Sequence, residues 1–245
     1  MRIKLTVAYD GTAYHGWQFQ PGQPTIEGEL NRALTDLLGV ETEVIGASRT
    51  DAGVHALGNV CVFDTDSKIL PKRFALALNV RLPEDIRVMS SEEVDDDFHP
   101  RYDAHDKIYS YRITRSRIMP PTKRLYSYHV YYPLDLSLMR KAAAYMVGRH
   151  DFAAFCSAGS TIKDTVRTVL SVNIEEEGED LVIYVKGTGF LYNMVRIMTG
   201  TLLNVGCKKM TPEDVASAVR GKKRELAGVT APPQGLTLVE INYDD

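Results

Sequence analysis

Cysteine is scarce in this chain, and long apolar runs are missing. Only three cysteines occur in 245 residues: Cys61, Cys156 and Cys207. They are far apart, odd in number and without CxxC spacing, so neither a disulfide framework nor a zinc site is expected. Cys61 falls in the strand-like run Val60–Phe63 and reads as a small buried residue. No stretch approaches the ~18–20 apolar residues that a membrane span needs. The most apolar helical segment, Gly189–Val205, carries Arg196 in its middle. The opening MRIKLTVAYD alternates charged and apolar residues as a strand does, which is not a signal-peptide pattern. A reducing, cytoplasmic location is expected. HExxH and a Walker loop are both missing, and no two of the six histidines stand four apart on a helix. The run Gly187-Thr188-Gly189-Phe190-Leu191-Tyr192 opens like a dinucleotide loop but places Tyr192 where the third glycine belongs. The expectation is therefore no metal, no nucleotide cofactor and no membrane partner.

What is present is an ordinary globular composition, 44% hydrophobic and 25% charged. The net charge of −3 hides an asymmetry. Residues 1–104 hold 10 Lys and Arg against 17 Asp and Glu, whereas residues 105–245 hold 19 against 15. Arg101, Lys107, Arg112, Arg115, Arg117, Lys123 and Arg124 follow in one stretch, offset there only by Asp103 and Asp106. Salt confines such fields to roughly 8–10 Å, so a local basic stripe can hold phosphates on an acidic protein. A solvated charged surface would give the same count.

Hydrophobic periodicity supplies the architecture. Ile3, Leu5, Val7 and Tyr9 alternate as a half-buried strand. After a Gly- and Pro-marked loop, Ile26, Leu30, Leu34 and Leu37 line a helix over 25–38 that Gly39 stops. Strands are expected near 43–47, 59–64 and 86–89, with a short helix over 71–79. Glu92, Glu93, Asp95, Asp96 and Asp97 read as a solvated acidic connector. The second half predicts strands near 107–114 and 126–132 and a helix over 135–147. A hairpin of 168–175 and 181–187 turns at Gly178. A helix follows from Phe190, then another capped by Thr211 and Pro212 and stopped by Gly221, and a final strand over 236–243. The helices are too few for a regular alternating parallel sheet. The class is α+β, antiparallel sheet with helices on one face, in two halves at 1–104 and 105–245.

Three segments carry chemistry. Gly46-Ala47-Ser48-Arg49-Thr50-Asp51-Ala52-Gly53-Val54-His55-Ala56 lies between two strands, with small residues around an Arg and an Asp, so a ligand can approach the backbone closely. Asp51 could equally cap a turn. In Lys107-Ile108-Tyr109-Ser110-Tyr111-Arg112, Lys107, Tyr109 and Tyr111 share a strand face, an arrangement suited to stacking an unpaired base or to cross-strand packing. In Gly189-Phe190-Leu191-Tyr192-Asn193-Met194-Val195-Arg196, the guanidinium needs a carboxylate partner or a path to water.

Together with YDGTAYHGWQFQP at Tyr9–Pro21 and APPQGLTL at Ala231–Leu238, these segments resemble the tRNA pseudouridine synthase A family, in family order and over essentially the full length. ASRTDAGVHA at Ala47–Ala56 is the most specific match. Asn59 departs from the Gln of many members. The resemblance implies that Asp51 is the catalytic carboxylate and that Tyr109 stacks on the target uracil and helps remove its C5 proton. It assigns Arg49 to displacing the target nucleotide and Arg196 to pairing with the aspartate. Lys107, Arg112 and Leu191 join Tyr109 and Arg49 as expected substrate contacts. It also implies two ferredoxin-like, RRM-like halves sharing an antiparallel sheet around a central cleft, a homodimer, and action on the anticodon stem-loop of tRNA without metal or organic cofactor.

The chemistry agrees with the missing cofactor motifs, since isomerising uridine supplies and removes nothing. Breaking the N1–C1′ bond leaves an electron-poor sugar carbon, which a carboxylate can stabilise, attack or relieve of a neighbouring proton. Two rivals remain: a non-catalytic RNA-binding protein on the same scaffold, and a nucleoside hydrolase that would release free uracil.

Overall fold

The computed structural model describes residues 1–159 and 163–243. Their strands are β1 (Arg2–Tyr9), β2 (Ile45–Gly46), β3 (His55–Asp64), β4 (Ile86–Val94), β5 (Ala104–Thr114), β6 (Tyr128–His129), β7 (Gly148–Asp151), β8 (Val166–Glu177), β9 (Asp180–Gly187) and β10 (Leu236–Tyr243). Their α-helices are α1 (Ile26–Leu38), α2 (Phe74–Asn79), α3 (Leu136–Ala144), α4 (Met194–Gly206) and α5 (Pro212–Gly221). The fold is mixed α+β with predominantly antiparallel pairing, as the sequence pattern implies. The chain forms two compact units, one of Met1–His105 with Thr237–Asp245, the other of Asp106–Leu236. The C-terminal strand thus returns to the first unit, where Thr237 and Leu238 pair in parallel with His55 and Ala56.

In the first unit the strand order is β4-β1-β3-β10, with β1 antiparallel to both neighbours and β2 on β3. Ile3, Leu5, Val7 and Tyr9 of β1 are buried, matching their alternation. β3 is buried along nearly its whole length on both faces. Continuous burial removes the period-2 signal, which is why only its second half is legible as a strand. Thr25 caps α1 through its side chain and Gly39 closes it in the left-handed region. α2 packs on β4, and its Phe74 meets Phe63 of β3 edge to face at 5.3 Å. The acidic connector is shorter than expected, because Glu92 and Glu93 belong to β4. This sheet-edge strand tolerates them, and Lys4 of β1 pairs with Glu92 at 2.6 Å.

In the second unit the order is β5-β9-β8-β7, all antiparallel, with β8 and β9 joined at Gly178. β6 is a two-residue parallel pairing with β5, so most of the strand expected over 126–132 is irregular. β7 is an additional strand whose polar sequence, Gly148-Arg149-His150-Asp151, hides its pairing with β8. α4 is buried around most of its circumference. It begins at Met194 and not at Phe190, because Asn193 adopts φ 60° and turns the chain into the helix. α5 has the expected Thr211 cap, completed reciprocally by Asp214. Gly221 stays helical, and Lys222 takes the left-handed terminal position.

Candidate active site

The loop between β2 and β3 is braced from several sides within the first unit. The Ala47 amide donates to the Val60 carbonyl at 2.8 Å, and the Trp17 amide donates to the Thr50 carbonyl at 3.0 Å. Asn59, fully buried, donates through Nδ2 to the Ser48 carbonyl at 3.0 Å and to the Tyr9 hydroxyl at 3.2 Å. The Tyr9 and Thr50 hydroxyls lie 2.7 Å apart. The Gly53 amide donates to the Tyr14 carbonyl, and the Val54 amide closes a turn onto the Asp51 carbonyl at 3.1 Å. Gly53 supplies the positive φ of 75° that this turn requires. Asp51 follows the buried Thr50 and is itself half-buried, while Arg49 and Ala52 are exposed.

The glycines of Tyr9–Trp17 are explained by the same loop. A side chain on Gly11 would collide with the Val54 carbonyl. One on Gly16, at φ 93°, would lie 2.6 Å from the Thr50 carbonyl. The Trp17 ring packs so closely on Gly46 that no Cβ fits there. Two motifs far apart in sequence are thus one object in the fold, a loop and its cradle. Tyr9, Trp17 and Asn59 brace this loop, a structural role that the motif match at Tyr9–Pro21 and the departure at Asn59 did not by themselves disclose. The unusual density of glycine and aromatics over Tyr9–Trp17 was the available signal.

The second unit knits the remaining motifs together. On β5, Lys107, Tyr109 and Tyr111 alternate on the buried face, as expected. Tyr111 is fully buried and donates through its hydroxyl to the Pro232 carbonyl at 2.7 Å, so its ring is core packing. Burial pushes its phenol well above the ordinary value, with the Arg196 charge opposing. Tyr109 is 9% exposed, and its ring meets Phe190 edge to face at 5.3 Å. Phe190 lies over Gly187, where an added Cβ would stand 3.0 Å from its ring. The dinucleotide-like glycine at that position makes room for an aromatic side chain.

Leu191 is buried beside Phe190 at the start of the turn into α4. Arg196 donates through Nε to the Ala231 carbonyl at 2.8 Å and through Nη1 to Asn193 Oδ1 at 2.7 Å. The Ala231 amide donates back to the Arg196 carbonyl at 3.1 Å. Asn193 in turn donates to the Ser157 hydroxyl at 3.0 Å. The guanidinium is therefore oriented by its own helix cap and by the APPQG segment, a role for Asn193 that its sequence position did not disclose.

The basic stripe is not a continuous cationic surface. Arg112 bonds Glu177 at 2.8 Å and Asp180 at 3.1 Å, Lys123 bonds Asp180 at 2.8 Å, and Arg115 bonds Glu176 at 2.9 Å. These carboxylates arrive from the β8–β9 hairpin through the antiparallel register that sets Thr114 opposite Asp180. A count along the sequence sees only Asp103 and Asp106. Arg112 also projects from the face of β5 opposite Tyr109. Arg117 and Arg124 remain exposed. Cys61 is buried and its thiol is pushed up, first by burial and then by the Glu27 charge, so it is an inert core residue. No helix among the described residues is long and apolar enough to cross a membrane.

The profile of the family described as tRNA pseudouridine synthase matches residues 5–103 and 142–244. A protein of Thermoanaerobacter sp. (strain X514) named tRNA pseudouridine synthase A is 46% identical over 241 residues, covering 98% of this chain and 99% of its own length. Its namesake in Acetivibrio thermocellus is 47% identical over 241 residues with the same coverage. That of Bacillus licheniformis is 44% identical over 247 residues, all of both chains.

Proposed function

This chain belongs to the tRNA pseudouridine synthase family, and on that premise we propose that it isomerises uridines in the anticodon stem-loop of tRNA with Asp51 as the catalytic carboxylate. The N1–C1′ bond breaks, the uracil turns, and C5 bonds to C1′. C5 then gives up its proton and N1 gains one, so the product has the mass of the substrate. The observation that carries the reading is the bracing of the Arg49–Asp51 loop, which presents a half-buried carboxylate from a fixed backbone. Such rigidity suits a group that must meet one carbon atom in a defined geometry.

In this reading Arg196 is the cation that keeps Asp51 ionised. Arg49 enters the gap left by the extruded nucleotide, and Tyr109 stacks on its uracil. Extrusion costs a few kcal/mol, which stacking and an inserted guanidinium offset. Lys107, Arg112 and Leu191 complete the substrate contacts. Arg112 contributes the least charge, being shared between two carboxylates. The enzyme acts in the cytoplasm as a homodimer and needs no metal or organic cofactor.

The test is to incubate purified protein with unmodified tRNA and map pseudouridine by chemical labelling while assaying free uracil. Pseudouridine in the anticodon arm with no uracil released is the expected result. Bound but unmodified tRNA would favour a pure RNA-binding protein, and released uracil a hydrolase.

A further inference from the structure

The segment from Phe98 to Asp103 is held as firmly as the Asp51 loop, yet nothing in the chemistry above uses it. Arg2 donates to the Phe98 carbonyl at 3.1 Å, and Tyr243 donates to the Pro100 carbonyl at 2.7 Å. The Phe98 and Tyr243 rings pack at 5.1 Å. Asp103 accepts from the His99 amide at 2.7 Å, and His99 Nδ1 accepts from the Arg101 amide at 3.2 Å. The fold thus fixes the backbone of a turn whose next two side chains, Arg101 and Tyr102, point into solvent.

Tyr102 is 77% exposed, and its ring lies 4.2 Å from that of His99 at an interplanar angle of 35°. An exposed aromatic ring on a rigid turn, backed on one side by a second ring, leaves its other π face open for stacking. Arg101, next to Tyr102 in the chain, is exposed as well. Partial desolvation, and after it the Arg49 charge, hold its guanidinium below the ordinary arginine value. Neither arginine makes an ion pair among the described residues. A planar guanidinium matches a phosphate in two-point geometry.

We propose that Tyr102, backed by His99, is a stacking platform for an unpaired base of the RNA, and that the exposed Arg101 beside it contacts the adjoining phosphate. The proposal rests on the RNA-modifying reading and adds a second nucleotide position to it. Stacking on an aromatic side chain tolerates any base, because every base has a π face, so the platform holds the loop in place without selecting its sequence. The guanidinium supplies the attraction to the backbone.

The experiment is titration of fluorescent-labelled tRNA with wild type, Tyr102→Ala, Tyr102→Phe and Arg101→Gln, across a range of salt, alongside pseudouridine formation by wild type. Tyr102→Ala is expected to weaken binding about tenfold, and Tyr102→Phe to recover most of that loss. Arg101→Gln should weaken binding and reduce the slope of log affinity against log salt by about 0.7–0.9, the loss of one phosphate contact. Wild-type affinity in Tyr102→Ala, or equal weakness in the Phe and Ala variants, would overturn the platform. An unchanged slope in Arg101→Gln would remove the phosphate contact. Binding with these effects but no pseudouridine from wild type would leave the platform standing and remove the synthase reading, so the two failures are distinguishable. Both substituted side chains are exposed, and matching thermal unfolding confirms that the variants are folded.

Discussion

The hydroxyl of Tyr9, at the end of β1, lies 2.7 Å from that of Thr50, the residue before Asp51. The same Tyr9 oxygen accepts a hydrogen bond from Asn59 on β3, which also holds the Ser48 carbonyl. One buried phenol therefore ties the Asp51 loop to the sheet. Tyr9→Phe keeps the ring and its packing with Trp17 but leaves Asn59 and Thr50 each short of a partner. Stability should fall by about 1–2 kcal/mol, and kcat by roughly tenfold, equivalent to ~1.4 kcal/mol of misplacement in the transition state. KM for tRNA should stay within about twofold, because the loop remains present and only its placement softens. Steady-state kinetics on a tRNA transcript read this directly. A KM effect with unchanged kcat would mean that the bond serves binding.

Asn193 does two things at once: it takes a left-handed backbone angle, and it holds Arg196. Asn193→Gly suits the angle and loses the side chain, whereas Asn193→Ala loses both. Both variants lose the side-chain bonds to Arg196 and Ser157, and the alanine variant should be less stable than the glycine variant by about 1 kcal/mol because of its left-handed backbone. Both should lose activity, roughly tenfold, because in the proposed mechanism Arg196 loses one of the groups that orient it. Urea titration and turnover measured on the same preparations separate the two roles. Full activity in Asn193→Gly would show that the guanidinium is set without Asn193.

Asp180 links three neighbours in the second unit: Thr114, Lys123 and Arg112. Burial pushes its carboxyl up, but the hydrogen bonds from Lys123, Thr114 and Arg112 outweigh burial and leave it below the ordinary 3.8. A carboxyl with a lowered folded-state value adds stability above its unfolded value and loses it as pH falls through the folded one. Wild type should therefore lose this contribution only below about pH 4. Asp180→Asn should be less stable by roughly 2 kcal/mol at pH 7, with the difference shrinking towards pH 2–3. Thermal unfolding across that range is the check. A difference independent of pH would assign the effect to packing and not to charge.

Legibility from sequence followed the physics of each element. β1 and α1 were readable because one face of each is buried, so their periods survive. The α4 start was missed because Asn193 reaches a positive φ that composition does not announce. β7 was missed because its polar residues pair at the backbone and carry no apolar alternation. Glu92 and Glu93 read as a loop because an edge strand can carry charges that a central one cannot. The Asp51 loop stood out through its small residues and single carboxylate. Its support from Tyr9, Trp17 and Asn59 did not, since cradle and loop are joined only by tertiary contacts. The pairing of the basic stripe is hidden from the sequence for the same reason, as Glu176, Glu177 and Asp180 approach it through strand register.

The most direct measurement compares wild type with Asp51→Asn, following pseudouridine formation in the anticodon arm under single turnover while measuring tRNA affinity on the same preparations. The substitution removes one charge and keeps the shape of the side chain. Affinity should stay within a few-fold of wild type, while product falls below detection, a loss of at least about 10³ for a carboxylate acting at the sugar carbon. Sustained turnover by Asp51→Asn would contradict the account.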